Sequence, residues 1–330
     1  MKPRLVELLA CPRCRADLEL SVDQVSDGEV MEGLLRCVGC DARFPVRAGV
    51  PRFTETTKTG HQETAAAFGY QWKHFATLNG RYRQQFLDWI RPVEASFFQG
   101  RTVLEGGCGK GRHTALAAEF GARDVVAMDL SEAVDVAFAN TGRHPAVHIV
   151  QADLNHPPVK PVFDYAFSIG VLHHLPEPEA GFRALTGRLR PGGAVSAWVY
   201  GREGNGWIVH IVSPIRERLT SRLPRPILQA LAALITTPVF VATRCVYRYT
   251  RRTRFAGKLP YAGYLEYISD FSFHEQRTIV FDHLVPPIAY YLRKHEFAAW
   301  FDRASLADVA IGHHNANSWR GFGRVPAGAQ

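Results

Sequence analysis

Acidic residues are nearly missing from one part of this 330-residue chain. Between Asn205 and Lys258 there are ten Arg or Lys residues and a single acid, Glu217, so this stretch has a net charge of +9. The whole chain has a net charge of only +8, which leaves the remainder close to neutral. The excess positive charge is therefore expected in one segment and not across the whole molecule.

The chain also lacks a recognisable secretion signal. The stretch from Met1 to Ala10 is too short to be one, and a cysteine pair follows it at once. We therefore expect a cytoplasmic protein, in which a disulfide framework is disfavoured.

Cysteine is scarce, with six residues in the chain, but four of them form two CxxC pairs separated by 22 residues. Each pair offers two thiolates from one tight turn, and two pairs complete a tetrahedral zinc site. A redox CxxC is instead expected to stand alone near a strand–helix unit. With no fifth donor nearby, the pattern predicts a closed, structural zinc site with the ligands Cys11, Cys14, Cys37 and Cys40.

The segment Val103–Gly111 has glycine at every second position after an acid, Glu105. Read as a strand end, a turn and a helix start, it places this acid at the carboxyl edge of a sheet. The glycines Gly107, Gly109 and Gly111 let the backbone turn tightly and approach a ligand. A carboxylate inside such a loop would repel a pyrophosphate and attract an amino group. The favoured ligand is therefore a nucleoside that bears an amino acid, which means S-adenosylmethionine.

The residues that follow alternate between strand and helix patterns. Strands are predicted at 124–129, 146–153, 163–169 and 194–200, and a helix at 177–190 with a turn at 190–193. The first two of these strands end in Asp129 and Asp153. This alternation predicts a doubly wound parallel sheet that binds its ligand at the carboxyl edge.

Five motifs in this order resemble the class I S-adenosylmethionine-dependent methyltransferases. They are the ExGxGxG loop at 105–111, Asp129, the QAD at 151–153, the GVLHHLPEP at 170–178 and the LRPGG at 189–193. The resemblance covers roughly residues 100–200 and implies a mostly parallel, seven-stranded Rossmann-like sheet.

The same resemblance implies roles for single residues. Glu105 would contact the methionine amino group through the loop, Asp129 the ribose and Asp153 the adenine. Apolar side chains would complete the cofactor-binding set: Leu130, Leu154 and Ile169. The structural alternative is that the two aspartates are only solvated strand ends.

Residues 1–53 resemble the small zinc-ribbon family that activates methyltransferases, here fused to the chain that it would activate. Such ribbons also occur on RNA-modifying enzymes, so the ribbon does not settle the substrate. The expected organisation is a ribbon (1–53), a linker and helical cap (54–99), a cofactor-binding core (100–204), a basic and apolar helical insert (205–262) and the C-terminal part of the methyltransferase domain (263–330). A helix is predicted from Arg81 to Phe98. Phe68, Tyr70 and Trp72 are predicted either to cap the cofactor or to belong to the core.

The insert contains 18 consecutive uncharged residues between Arg225 and Arg244, at the lower end of the length of a membrane span. A span is disfavoured because Pro238 interrupts the run and strands are predicted after it. Three uses stay open: contact with an anionic membrane surface, a lid over a greasy or anionic substrate, and RNA binding. The remaining alternative is a buried helical pair with solvated arginines.

The C-terminal part is predicted to contain strands at Thr278–Phe281 and Asp308–Ile311, the second antiparallel at the sheet edge, and a helix at about 288–304. Methyl transfer needs a base only when the acceptor must lose a proton. Histidine suits that task, and His283 is a weak first choice among four candidates. The others are His173, His174 and His313.

The main functional hypothesis is methyl transfer from S-adenosylmethionine to a small-molecule or lipid-linked acceptor, with peripheral contact to an anionic membrane surface. The alternatives are an RNA methyltransferase that grips RNA with ribbon and insert, and a non-catalytic partner of the same fold. The intact cofactor loop, together with Asp129 and Asp153, argues against a non-catalytic partner. The apolar block argues against RNA, because RNA-binding stripes mix basic residues with exposed aromatic and polar groups.

Overall fold

A computed structural model describes residues 1–54, 66, 69–70, 82–250, 252–254, 258–259 and 261–328. The chain divides into two compact units. Unit 1 comprises Met1–Val199, His295–Gly312 and Arg320–Gln330, and unit 2 comprises Tyr200–Lys294 and His313–Trp319.

The described residues contain eleven strands and ten principal helices. The strands are β1 (Leu18–Ser26), β2 (Glu29–Cys37), β3 (Arg43–Arg47), β4 (Val50–Phe53), β5 (Thr102–Gly106), β6 (Asp124–Asp129), β7 (Val147–Ala152), β8 (Phe163–Ile169), β9 (Leu189–Tyr200), β10 (Ala307–His314) and β11 (Ser318–Arg324). The helices are α1 (Leu5–Leu8), α2 (Tyr82–Trp89), α3 (Arg112–Glu119), α4 (Ala133–Thr141), α5 (Pro178–Thr186), α6 (Ser213–Arg218), α7 (Arg225–Ala242), α8 (Ala262–Ile268), α9 (Phe273–Leu284) and α10 (Lys294–Arg303).

The centre of the sheet is parallel. Strands β7, β6, β5, β8 and β9 lie side by side in this order, and every pairing among them is parallel. Every residue of β5, β7 and β8 is buried, as is typical of strands that helices cover on both faces. The α/β doubly wound, mostly parallel sheet predicted from the sequence is confirmed.

The predicted number of seven strands is wrong, because the sheet has eleven. The additional four are β1 to β4, all from the N-terminal ribbon. Strand β4 pairs in parallel with β7, and Arg52 and Phe53 lie opposite Gln151 and Ala152. An outer strand of a parallel sheet leaves backbone groups unpaired, and here the ribbon satisfies them.

Charged side chains also connect the ribbon to the rest of unit 1. The Lys2 ammonium donates to the carbonyls of Gly142 and Val147 at 2.6 and 3.0 Å. Arg4 pairs with Asp124 at 2.8 Å, and this aspartate is almost fully buried. The ribbon is therefore an integral part of unit 1.

Three predicted elements of unit 1 differ in extent. The predicted helix at 81–98, of which the structure describes residues 82–98, consists of two shorter elements. They are α2 and a 3₁₀ turn at Ala95–Phe98, and Pro92 lies between them. The predicted helix at 177–190 ends at Thr186, and the predicted turn at 190–193 lies inside β9, where Gly192 has φ +77°. The helix predicted at 288–304 begins at Lys294.

The predicted strand at Thr278–Phe281 is wrong, because these residues lie in α9 of unit 2. A capping box begins this helix: the Ser272 hydroxyl accepts from the Glu275 N–H at 3.2 Å, and Glu275 accepts from the Ser272 N–H at 2.8 Å. The predicted strand at Asp308–Ile311 is confirmed within β10, which is the last strand in the order of the sheet.

Unit 2 also contains a long apolar helix. Helix α7 continues through a π-helical turn at Thr243–Tyr247 to Thr250, with Pro238 inside it. Over its 26 residues the mean hydropathy reaches 1.7 in an 18-residue window, and 22% of that window is buried. By length and composition alone it is long enough to cross a membrane.

Candidate functional site

The glycine-rich loop joins β5 to α3, and hydrogen bonds from the end of β6 fix its shape. The Met128 carbonyl accepts from the N–H groups of Gly107 and Cys108 at 2.7 and 3.0 Å. Gly107, Gly109 and Gly111 have φ values of +81°, +52° and +82°, which favour glycine. A Cβ at Gly107 would lie 2.2 Å from a methyl of Val171, so only glycine fits there.

Glu105 lies beneath this loop and is 1% exposed. The Thr114 hydroxyl donates to Glu105 Oε2 at 2.5 Å, and His113 Nδ1 lies 3.7 Å from Oε1. Burial raises the pKa of Glu105 to about 8, although the Thr114 hydroxyl and the charge of Arg112 oppose the rise. With this pKa, the carboxyl is mostly protonated at pH 7.

Asp129 ends β6 beside the loop. Its Oδ2 accepts from the Gly109 N–H at 2.9 Å, and its Oδ1 accepts from the N–H and the hydroxyl of Ser131 at 2.9 and 2.7 Å. The carboxylate is therefore a bridge between the glycine loop and the turn that leads into α4. Asp129 thus lies at the carboxyl edge of the sheet, the edge at which folds of this kind bind a ribose.

The remaining predicted cofactor residues are at the ends of β6, β7 and β8. Asp153 is 3% exposed and accepts from the Asn155 N–H at 2.9 Å. Leu154 is buried and packs closely against the start of the loop. A Cβ on Gly106 would lie only 2.6 Å from Leu154 Cδ1. Leu130 is half-buried, and Ile169 is buried at the end of β8. All of the predicted cofactor residues belong to unit 1 and follow strands that run in parallel.

Part of the predicted cap is described. A Cβ on Gly69 would lie 3.2 Å from Ser131 Cβ, so the backbone at this position lies against the turn that Asp129 holds. Tyr70 is half-buried, and Phe68 and Trp72 lie outside the described residues. The contact of Gly69 with Ser131 was not predicted from the sequence, and neither was the hydrogen bond from Thr114 to Glu105.

Of the four candidate histidines, His173 and His174 are buried in unit 1, with ring centroids 4.3 Å apart. His313 belongs to unit 2, is exposed and stacks on Trp319 at 4.3 Å. Neither arrangement identifies a base, and the role of each histidine stays a prediction.

His283 lies in a buried polar cluster of unit 2. Its ring stacks on Tyr200 at 5.9 Å, and Tyr200 in turn stacks on Tyr291 at 5.4 Å. Burial lowers the pKa of His283 to about 4, and the positive charge of Arg216 acts in the same direction. Within the part of the chain that is described, its Nδ1 has no hydrogen-bond partner. The imidazole is therefore neutral at pH 7, and its lowered pKa makes it a weak proton acceptor.

Arg216 was not singled out by sequence reasoning. It is 1% exposed, and its closest carboxylate oxygen belongs to Glu217, 3.6 Å from Nη2. A buried cation is unusual without a closely held anion. Nine other basic residues occur in the same segment of the sequence. Nothing in the sequence therefore distinguishes Arg216 as the one that is buried.

The four predicted zinc ligands come together in the ribbon. Their sulfur atoms all lie within 4.8 Å of one another, and Cys11–Cys40 and Cys14–Cys37 are separated by 3.7 and 3.3 Å. The Gly39 N–H donates to Cys37 Sγ at 3.3 Å, which favours a thiolate. Four thiols in this arrangement fit a tetrahedral structural zinc ion.

Two family models match the chain. Residues 104–197 match the family described as methyltransferase domain, and residues 2–49 match the family described as Trm112p-like protein. The first range contains the glycine loop, Asp129 and Asp153, and the second contains all four clustered cysteines.

Among curated proteins, the chain is similar to two named tRNA U34 carboxymethyltransferase. The protein from Shewanella loihica is 31% identical over 168 residues, which are 48% of this chain and 50% of that protein. The protein from Pseudoalteromonas atlantica is 35% identical over 98 residues, or 29% of this chain and 30% of that protein. The chain thus spans about a third to a half of the length of these relatives.

Among solved structures, one similar chain belongs to the complex between the Haloferax volcanii Trm112 methyltransferase activator and a methyltransferase. It is 14% identical with a TM-score of 0.45, and the match covers 82% of this chain and 100% of that chain. Another is Haemonchus contortus phosphoethanolamine N-methyltransferase 2 in complex with S-adenosyl-L-methionine. It is 16% identical with a TM-score of 0.45, and the match covers 86% of this chain and 62% of that chain.

Replacing a ribbon cysteine tests the metal centre. We expect Cys14→Ser to release zinc and to loosen the ribbon while the parallel strands stay folded, because three thiolates hold the ion far less well than four. Elemental analysis of the purified protein measures the metal, and near-ultraviolet circular dichroism reports the fold. Cys245→Ser, at an exposed cysteine outside the cluster, is the matched control and should retain zinc. An unmutated protein that contains no metal would contradict the assignment.

The carboxyl beneath the loop should make stability depend on pH. Its folded pKa of about 8 lies above the ordinary glutamate value of 4.5, so between these pH values the folded protein holds a proton there that the unfolded chain loses. We therefore expect Glu105→Gln to gain about 2–5 kcal/mol in unfolding free energy relative to the unmutated protein as pH rises from 5 to 9. Urea unfolding at both pH values measures this gain. Asp23→Asn, at an exposed position in β1, is the control, and an equal gain in the two variants would disprove the prediction.

Proposed function

Because this chain contains a methyltransferase domain behind a Trm112p-like zinc ribbon, we propose that it transfers a methyl group from S-adenosylmethionine to an acceptor. One observation carries the proposal. A glycine loop in the left-handed conformation, an acid beneath it and acids after the next two strands occupy one edge of a parallel sheet. This is the edge at which such sheets bind nucleosides.

The residues present suit the donor. Asp129 would accept hydrogen bonds from the ribose hydroxyls, and Asp153 would accept one from the adenine amino group. Leu154 and Ile169 would offer apolar surface to the base. The donor's amino group would favour the ionised form of Glu105, since a nearby positive charge lowers the pKa of a carboxyl.

The protein's task in methyl transfer is mainly one of position. The bound donor supplies a sulfonium whose methyl group is already activated towards an in-line displacement. The chain's own residues would orient the two reactants and exclude water from them, which can contribute several orders of magnitude to the rate. If the acceptor must lose a proton, His283 is the candidate that the sequence suggests for the base, although its lowered pKa makes it a weak one.

The acceptor that similarity supports best is RNA. Two relatives with 31% and 35% identity carry the name tRNA U34 carboxymethyltransferase. Ten basic residues between Asn205 and Lys258 would add attraction to phosphates. In this proposal the enzyme works in the cytoplasm, where tRNA is available.

A lipid-linked or small-molecule acceptor is the second candidate, and a different observation favours it. Ten of the large apolar side chains exposed in the described residues lie between Trp207 and Tyr249. Bases and phosphates would leave such side chains in water, whereas a lipid chain would cover them. An RNA acceptor would therefore leave the exposed apolar side chains of this segment in water, whereas a lipid-linked acceptor would cover them.

The donor site can be tested without knowledge of the acceptor. We expect Asp129→Ala to weaken binding of S-adenosylmethionine by about 1–3 kcal/mol, the scale of a lost charged hydrogen bond. Isothermal titration calorimetry measures the affinity. Asp135→Ala, whose carboxylate pairs with Arg52 at 2.6 Å on the outside of α4, is the matched control. An affinity that Asp129→Ala leaves unchanged would remove the ribose assignment.

The acceptor class can be tested by transfer of a labelled methyl group. We expect label from methyl-labelled S-adenosylmethionine to enter a purified tRNA fraction of a host extract, with Asp129→Ala as the donor-site control. Incorporation into the lipid fraction instead would favour the second candidate. If no fraction takes up label although the donor binds, the proposal of methyl transfer is wrong for this chain.

A further inference from the structure

Two helical segments of unit 2 leave apolar rows in solvent. In the first, Trp207, Ile211, Ile215 and Leu219 recur at every fourth position, and each is between 49% and 58% exposed. A π-helical turn at Ile208–Val212 followed by α6 keeps this spacing on one side. Water thus covers side chains that a folded protein normally buries.

The second row lies on α7 and its continuation. Its members are spaced by helical turns and range from 37% to 71% exposed: Ile227, Leu234, Ile235, Val241, Val246 and Tyr249. We refer to the two rows together as the apolar surface of unit 2. Elsewhere among the described residues, exposed apolar side chains are scattered over the ribbon, β10 and single loops, as is normal for a monomer.

The opposite side of α7 shows that this exposure is a property of the helix itself. Two of its most deeply buried residues, Thr236 and Thr243, are polar. Thr243 Oγ1 accepts from Gln276 Nε2 of α9 at 3.0 Å, and Thr236 Oγ1 donates to the Ala232 carbonyl at 2.6 Å. The buried side of α7 and its continuation therefore holds the hydroxyls of Thr236 and Thr243 beside Leu228 and Ala232, while several larger Leu, Ile and Val side chains face the surroundings.

Basic residues lie at both ends of the apolar rows. Arg218 and Arg222 are exposed between the first row and α7. Arg248, Arg252, Arg254 and Lys258 are exposed at and beyond the end of the second row. No acid lies between Arg218 and Lys258 in the sequence. The exposed Glu217 lies within the first row and Asp270 lies 3.7 Å from Arg248, so the surface carries a net positive charge but not a single sign of charge.

We propose that the apolar surface of unit 2 binds the headgroup region of an anionic phospholipid membrane. Its apolar side chains enter the boundary between headgroups and acyl chains, and the arginines contact lipid phosphates. This combination of an apolar face and predominantly basic neighbours matches a surface that is negative at its headgroups and apolar beneath.

The same observations disfavour the other occupants. A second copy of this chain would bring two surfaces of net positive charge together, which costs free energy. RNA would neutralise the arginines but leave Leu234 and Ile211 in water. A transmembrane position is also disfavoured, because one side of α7 is hydrogen-bonded to α9 and cannot contact lipid.

The inference does not rest on the acceptor. If the second acceptor candidate is right, however, the surface would bring the enzyme to its substrate. Vesicle binding is measured without donor or acceptor, so its failure and a failure of methyl transfer can be told apart.

The test is co-sedimentation of the purified full-length protein with vesicles of equal amounts of phosphatidylglycerol and phosphatidylcholine. We expect binding that weakens as salt is added, and much weaker binding to pure phosphatidylcholine vesicles, because the phosphates of neutral lipids attract the arginines less. Equal binding to both vesicle types, or none to either, would overturn the proposal.

Two pairs of variants separate the apolar and the electrostatic contributions. Leu234→Asp should lower the partition coefficient onto the mixed vesicles about tenfold, whereas Val25→Asp, at a 56% exposed position in the ribbon, should leave it unchanged. Arg222→Glu should lower it by a similar factor, with Arg47→Glu in the ribbon as its control. All four positions are exposed, and a melting temperature close to that of the unmutated protein checks that each variant folds.

The same variants reveal the rival occupants. If Leu234→Asp has no effect on vesicle binding but converts a dimer into a monomer in analytical ultracentrifugation, the surface joins two copies and the proposal is wrong. If Arg222→Glu weakens binding to tRNA while both variants leave vesicle binding unchanged, RNA is the occupant and the proposal is equally wrong.

Discussion

A few hydrogen bonds between the end of β6 and the glycine loop determine the candidate site. The Met128 carbonyl holds two loop N–H groups, and the Asp129 carboxylate holds that of Gly109. These bonds require the left-handed turns that glycine provides, and they place the loop over Glu105. Because Asp129 also accepts from Ser131, the loop and the following turn form one rigid edge. The other features of the site, including the buried acid and the packing of Leu154, depend on this arrangement.

Much of this core was predictable from the sequence for a physical reason. Strands β6 and β8 have the boundaries predicted, because strands buried on both faces appear as short apolar runs between turn residues. The four zinc ligands were predictable from spacing alone, since two CxxC turns have few other uses. The segment Thr278–Phe281 looked like a strand because it is apolar and β-branched. Its actual helix is set by Ser272 and Glu275, several residues upstream, where a capping box outweighs local propensity.

Other features could not be read from the sequence, because they depend on contacts between distant residues. The pairing of β4 with β7 joins residues about a hundred positions apart, and no periodic pattern indicates it. The motif identified Glu105 but not its burial, which raises the pKa of this carboxyl, nor the hydrogen bond from Thr114 that opposes the rise. The composition of the insert indicated an apolar and basic segment. Only the structure shows that the apolar side chains face outward while threonines are buried.

The ribbon changes where the sheet ends. Without it, β7, whose residues are all buried, would be an open edge able to pair with other chains. With it, the last strand on this side is β1, which carries Glu19, Ser21, Asp23 and Gln24 and has an irregular register with β2 between Val22 and Val25. Charges and irregularities at an edge hinder pairing between molecules. Loss of the metal would thus leave the outer edge of β7 open to pairing with other chains, even while the parallel strands stay folded.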